Sequence, residues 1–113
     1  KNTVIEGAGG ALVPIAENFY MADLIGFTNS KAIIVAKSKL GFLNHIFLTI
    51  ESLQARGVEI LGIIINGETE NFLLKTIEKF AKLSIIQVLP YMGNIKNQLK
   101  DIMLPMEIRQ VLS

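Results

Sequence analysis

Three short stretches of this chain carry residue types that could do chemistry. The first is Glu6-Gly7-Ala8-Gly9-Gly10. A carboxylate such as Glu6 can hold a magnesium ion, directly or through water. The glycines behind it let a ligand approach the backbone and leave N–H groups free to face an anion. The same five residues also read as a tight turn whose glycines serve geometry alone, and a lone glycine-rich turn leaves both readings open. The second stretch is Lys37-Ser38-Lys39-Leu40-Gly41, which opens an amphipathic segment. Free N–H groups at a helix start attract carboxylates and phosphates, and two lysines add to that attraction. A solvated basic turn is the competing reading. The third is Asn66-Gly67. The Asn66 amide offers a donor and an acceptor, which suit an adenine edge. An ordinary Asn-Gly turn explains the pair equally well. His45 is the single histidine. No carboxylate partner lies at an obvious spacing, so it reads as a helix-packing or surface residue.

These residues need elements to position them. Four apolar runs rich in β-branched residues predict strands over Thr3–Ile5, Ala32–Ala36, Ile60–Ile65 and Ile85–Leu89. The last three are nearly continuous, as in Ile63-Ile64-Ile65, which predicts strands buried on both faces. Segments with helical spacing lie between them. One runs from Gly41 to Arg56, with Ile46, Ile50 and Leu53 on one face and Gly57 placed to end it. Another follows Asn71 as N-cap, with Leu74, Ile77, Phe80 and Ala81 inward. Shorter helices are expected over 20–26, 95–103 and 106–112. Strands alternating with helices predict an α/β fold, a parallel sheet of about four strands covered by helices on both faces. In such a sheet the ligand site lies at the carboxyl ends of the strands. Glu6, the Lys37–Gly41 loop, Asn66 and Pro90 all follow predicted strands, so they fall at one edge. That edge locates a site without naming its chemistry. Phe42, Phe47, Phe72 and Phe80 read as core.

Composition removes several function classes. Half of the 113 residues are hydrophobic and 19% are charged, which predicts a single folded domain, residues 1–113, and not a disordered chain. A net charge of +1 argues against electrostatic binding of nucleic acid. No uninterrupted apolar stretch reaches the length of a membrane span, about 18 residues, so no membrane partner is expected. The chain has no cysteine, which excludes disulfides, zinc-thiolate sites and cysteine nucleophiles. A cytoplasmic location fits. The chain begins at Lys1 and runs straight into Val4-Ile5, so a preceding segment is expected.

Taken together, the motifs resemble a known family. Val4-Ile5-Glu6-Gly7-Ala8-Gly9-Gly10, then Pro14, then Ala22-Asp23, is similar to the central signature of dethiobiotin synthases. Lys39-Leu40-Gly41, followed by Asn44-His45 and Leu48-Thr49, resembles that family's next loop and helix. Arg56-Gly57, Leu61-Gly62, Asn66 and Leu89-Pro90 continue the likeness over nearly the whole chain.

The resemblance implies the C-terminal half of a homodimeric P-loop enzyme. The family joins carbon dioxide to 7,8-diaminononanoate with ATP and magnesium to make dethiobiotin. It implies that Glu6 is a magnesium ligand and that Gly9 meets the reacting end of the substrate. Leu40, Gly41, Phe42, Leu43 and Asn44 would bind the substrate's distal carboxylate across the dimer interface. Glu6, Gly7, Ala8 and Gly9 would lie along the nucleotide, Asn66 would recognise adenine, and Pro90 would lie against the base. An acid that approaches the nucleotide in the family has no counterpart in Gly93-Asn94-Ile95-Lys96-Asn97. The family's Gly-x-x-x-x-Gly-Lys-Thr phosphate loop is also absent from these 113 residues, so this chain alone is expected to be inactive. Two other readings compete. One is a partitioning or division-site ATPase switch. It fits less well, because such proteins place an Asp where Glu6 stands. The other is a stand-alone flavodoxin-like binding module, which would leave a sheet edge or face bare.

Overall fold

The computed structural model describes residues 2–91. Its first elements form a small hairpin, β1 (Pro14–Ala16) against β2 (Phe19–Tyr20), antiparallel. Glu17-Asn18 makes the turn. Asn18 takes a left-handed backbone (φ 53°), a conformation that asparagine tolerates better than most residues. Helix α1 (Met21–Phe27) follows directly.

The main body is β3 (Ala32–Lys37), α2 (Phe42–Gln54), β4 (Ile60–Asn66), α3 (Asn71–Ala81) and β5 (Ile85–Leu89). The three strands form one parallel sheet in the order β3-β4-β5. This is the α/β alternation expected from the sequence, and the boundaries agree to within a residue or two. Gly57 ends α2 as expected. Its N–H donates to the Gln54 carbonyl and the next N–H, of Val58, reaches back to Leu53. Asn71 is the first residue of α3 and not its cap, which is Glu70.

Register explains where the core lies. Ile34 pairs with Ile63, and Ile63 with Ile85. Ile34 and Ile63 face the helices and join Ile46, Ile50, Leu53 and Ile77 in one buried cluster, and the half-buried Ile85 packs against it. The rings of Phe47 and Phe80 meet edge-on where the two helices touch, with centroids 6.5 Å apart. The opposite row is Val35, Ile64 and Gln87. Val35 is 64% exposed, so β3 is buried on one face only among the described residues. The continuous apolar run had predicted burial on both. The helices expected over 95–103 and 106–112 lie outside the described residues.

Thr3–Ile5 forms no strand, against expectation. Val4 is 76% exposed. A three-residue run holds as a strand only when a neighbour pairs its backbone groups, and no described residue does so. The β1–β2 hairpin and α1 therefore precede the sheet in place of a fourth strand.

Candidate functional site

The three parallel strands finish level. Lys37 pairs with Asn66, and Asn66 with Leu89, so their carboxyl ends form one straight edge. The loops that leave this edge are joined. The N–H of Ser38 donates to the Asn66 carbonyl (2.8 Å), and the N–H of Gly67 donates to the Leu89 carbonyl (2.8 Å). Lys37, Asn66 and Pro90 therefore meet where the sequence predicted. The Asn66 side chain is exposed, with its amide free of hydrogen bonds among the described residues.

The start of α2 stands beside this edge. Gly41 is its N-cap, in the left-handed region (φ 85°) that a residue with a Cβ enters at a cost. That turn swings the chain from β3 into the helix. The Phe42 N–H is taken by the Lys39 carbonyl (3.0 Å), and the His45 N–H by the Gly41 carbonyl (3.1 Å). No side chain caps the helix. The N–H groups of Gly41, Leu43 and Asn44 carry no hydrogen bond among the described residues and are the donors open to an anion. Phe42 differs from its neighbours: its ring is buried in the core and its amide is already used. Leu40, by contrast, is wholly exposed. A groove of about 240 Å³ runs along β3 beside α2, lined by Lys37, Lys39, His45 and Thr49. His45 is exposed on the surface of α2, as its spacing suggested.

The segment that follows the Glu6–Gly10 turn is held by α1. The N–H of Ala22 donates to the Ala11 carbonyl (2.8 Å), and that of Met21 to the Val13 carbonyl (3.0 Å). Gly9 has φ 84°, and a Cβ there would lie 2.8 Å from Val13 Cγ2, so this turn needs its glycine on both counts. Because Thr3–Ile5 is not a strand, Glu6 does not stand at a strand end. It is exposed and makes no ion pair among the described residues. No three His, Asp or Glu residues gather as a metal-ligand group among the described residues. A magnesium ion commonly takes one or two carboxylates and completes its shell with phosphates and water. One exposed carboxylate beside a glycine turn suits that donor set as a contributor, not as a complete site.

Two polar links escaped the sequence reading. Asp23 of α1 binds Arg56 beyond α2. Ser38, Glu68 and Thr69 tie the loop after β3 to the loop after β4. Both join residues about thirty positions apart, and no local pattern marks such a pairing.

A family model described as an AAA domain matches residues 1–98. The chain belongs to this family. It is similar to the ATP-dependent dethiobiotin synthetase of Lawsonia intracellularis, with 37% identity over 98% of this chain and 55% of that protein. The Neorickettsia sennetsu synthetase is 47% identical over 81% of this chain and 39% of its own length. That of Methanocaldococcus jannaschii is 40% identical over 75% and 43%. The resemblance read from the motifs is thus borne out across most of the chain. The chain spans about half the length of the curated relatives it matches. Among the described residues no helix is long and apolar enough to cross a membrane.

Proposed function

We propose that this chain is one half of an ATP-dependent dethiobiotin synthetase, the half that contributes base recognition, one metal carboxylate and the anion-binding helix start. The observation that carries the reading is the level edge of Lys37, Asn66 and Leu89 with the open N–H groups of α2 beside it. Similarity to the synthetases over most of the chain supports it.

In this reading one amine of 7,8-diaminononanoate takes up carbon dioxide as a carbamate, releasing a proton. A carbamate oxygen attacks the γ-phosphorus of ATP, and ADP leaves. The second amine then attacks the carbamoyl carbon. A C–N bond forms, the C–O bond to phosphate breaks, and the ureido ring closes with loss of inorganic phosphate. Such catalysis is mainly positioning and charge neutralisation.

Each part of the chain has a task. The N–H groups of Gly41, Leu43 and Asn44, backed by Lys37 and Lys39, hold the distal carboxylate of the diamine. Gly9 lets the backbone approach its reacting end. Asn66 pairs with adenine, and Pro90 lies against the base. Glu6 holds magnesium, whose charge offsets that of the phosphates. In the dimer that this reading implies, the α2 start faces the second protomer. The phosphate-cradling loop is supplied by the other half of the enzyme. The test is dethiobiotin formation by the complete protein from labelled bicarbonate, diaminononanoate and magnesium-ATP. Label appearing in product with one phosphate released per ring supports the reading. ATP hydrolysis that ignores the diamine would sink it.

A further inference from the structure

We propose that Ser38 and Thr69 are positioning residues that set how Asn66 reads a purine base. This rests on the assignment of Asn66 to the nucleotide. The backbone around Asn66 is held from both neighbouring strands. Its carbonyl accepts the Ser38 N–H (2.8 Å), and the following N–H, of Gly67, donates to Leu89 (2.8 Å). The Ser38 hydroxyl donates to the Glu68 carbonyl (2.8 Å), and the Thr69 hydroxyl donates to Ser38 Oγ (2.8 Å). Gly67 passes so close that a Cβ there would lie 3.2 Å from Ser38 Cβ. Thr69, Ser38 and Glu68 thus form a one-way relay of hydrogen bonds that locks the loop carrying Asn66 onto the loop leading to α2.

The Asn66 amide meanwhile stays free and exposed. A free amide on a clamped backbone is a pre-organised reader, which loses little freedom on binding. Its donor and acceptor together match the N6 and N7 edge of adenine only when the amide is presented at the right angle and distance. Discrimination of a 6-amino from a 6-oxo purine therefore depends on how firmly the backbone beneath it is held. The clasp supplies that firmness without touching the base.

The experiment compares kcat/KM for ATP and for GTP in the complete protein. Thr69→Val removes the hydroxyl at nearly constant volume, and Thr69→Ser keeps it. Ser38→Ala removes the centre of the relay. For Thr69→Val and Ser38→Ala the ATP-to-GTP ratio is expected to fall roughly three- to tenfold, the weight of one ordinary hydrogen bond. The fall should come from a higher KM for ATP, with kcat at saturation unchanged. Thr69→Ser should keep the wild-type ratio. If Asn66→Ala lowers the ratio while Thr69→Val leaves it intact, the base is read without the clasp and the inference is overturned. If Asn66→Ala itself leaves the ratio unchanged, the nucleotide assignment of Asn66 has failed, and the clasp inference falls with it. A lower melting temperature with an unchanged ratio makes the clasp structural only, which also overturns the inference. Should Ser38→Ala fail to fold, the two Thr69 variants decide.

Discussion

Arg56 Nε donates to Asp23 Oδ1 across 2.6 Å, while the other oxygen of that carboxylate accepts the Tyr20 N–H across 2.7 Å. One side chain therefore closes the first turn of α1 and binds α1 to the chain just beyond α2. Arg56 is held in turn by the Ser52 carbonyl and hydroxyl, and lies over the Tyr20 ring. The consequence reaches the candidate site. Helix α1 holds the segment that follows the Glu6–Gly10 turn, and α2 begins at Gly41, so this pair ties the helix beside that turn to the far end of the helix whose start is proposed to take an anion.

The pair makes stability depend on pH. The Tyr20 N–H and then the Arg56 guanidinium hold the Asp23 carboxyl below its ordinary range. A carboxylate with a lowered pKa stabilises the fold fully above its unfolded value, and that contribution fades as pH falls through the folded value. Asp23→Asn should therefore be less stable than wild type at neutral pH. The gap should narrow from about pH 5 downward, since an unfolded Asp titrates near 3.9. Denaturant midpoints across the acid range measure it. A gap that stays constant to the lowest pH would remove the ionised carboxylate as the cause.

Packing supplies a second prediction. Ile77 of α3 is fully buried, in one core cluster with Ile63 and Ile65 of the sheet. Ile77→Ala should cost about 2–5 kcal/mol in unfolding free energy, from lost transfer energy and the cavity left behind. Ile77→Val should cost about 0.5–1.5 kcal/mol. Chemical denaturation of the two variants checks the order, and equal costs would mean that the site collapses around the smaller side chain.

Much of this arrangement was legible in the sequence. Ile85–Leu89 forms the strand its apolar run predicts, and Ile46, Ile50 and Leu53 line the predicted face of α2. Asn66 and Pro90 reach the sheet edge because parallel strands with helical crossovers leave their carboxyl ends together. What was not legible depends on partners. Thr3–Ile5 has strand composition but no neighbour to pair with among the described residues. Val35 sits in an unbroken apolar run yet faces outward, because a run shows hydrophobicity and not which side is covered. Phe42 enters the core as its apolar side chain suggests, but Phe72 and Phe80, read the same way, stay 61% and 69% exposed, and only the fold shows the Phe42 amide taken by Lys39. The Ser38–Thr69 and Asp23–Arg56 links bridge long separations and leave no periodic trace.

Glu6 gives a third prediction, aimed at the metal. In the complete protein, Glu6→Gln should raise the magnesium concentration needed for half-maximal turnover while leaving the fold intact. The carboxylate is exposed and makes no ion pair among the described residues, so its loss disturbs no described contact. Turnover is measured against magnesium at fixed ATP, with the melting temperature as control. An unchanged magnesium dependence would take Glu6 out of the site.

Asn44 separates stability from binding. It is exposed in the first turn of α2, and its N–H is one of the open donors. Asn44→Asp places a negative charge at the positive end of the helix. Such a charge stabilises a helix by about 0.3–1 kcal/mol. The same charge occupies the field that the proposed substrate carboxylate would use, and repels that carboxylate. The variant should therefore unfold at higher denaturant while its KM for the diamine rises, with the KM for ATP little changed. Raising the salt concentration should reduce both effects, since each is a screened interaction of exposed charges. A variant that gains stability and keeps its diamine KM would mean that the carboxylate binds elsewhere. Gly41, Leu43 and Asn44 would then be the ordinary open end of a helix.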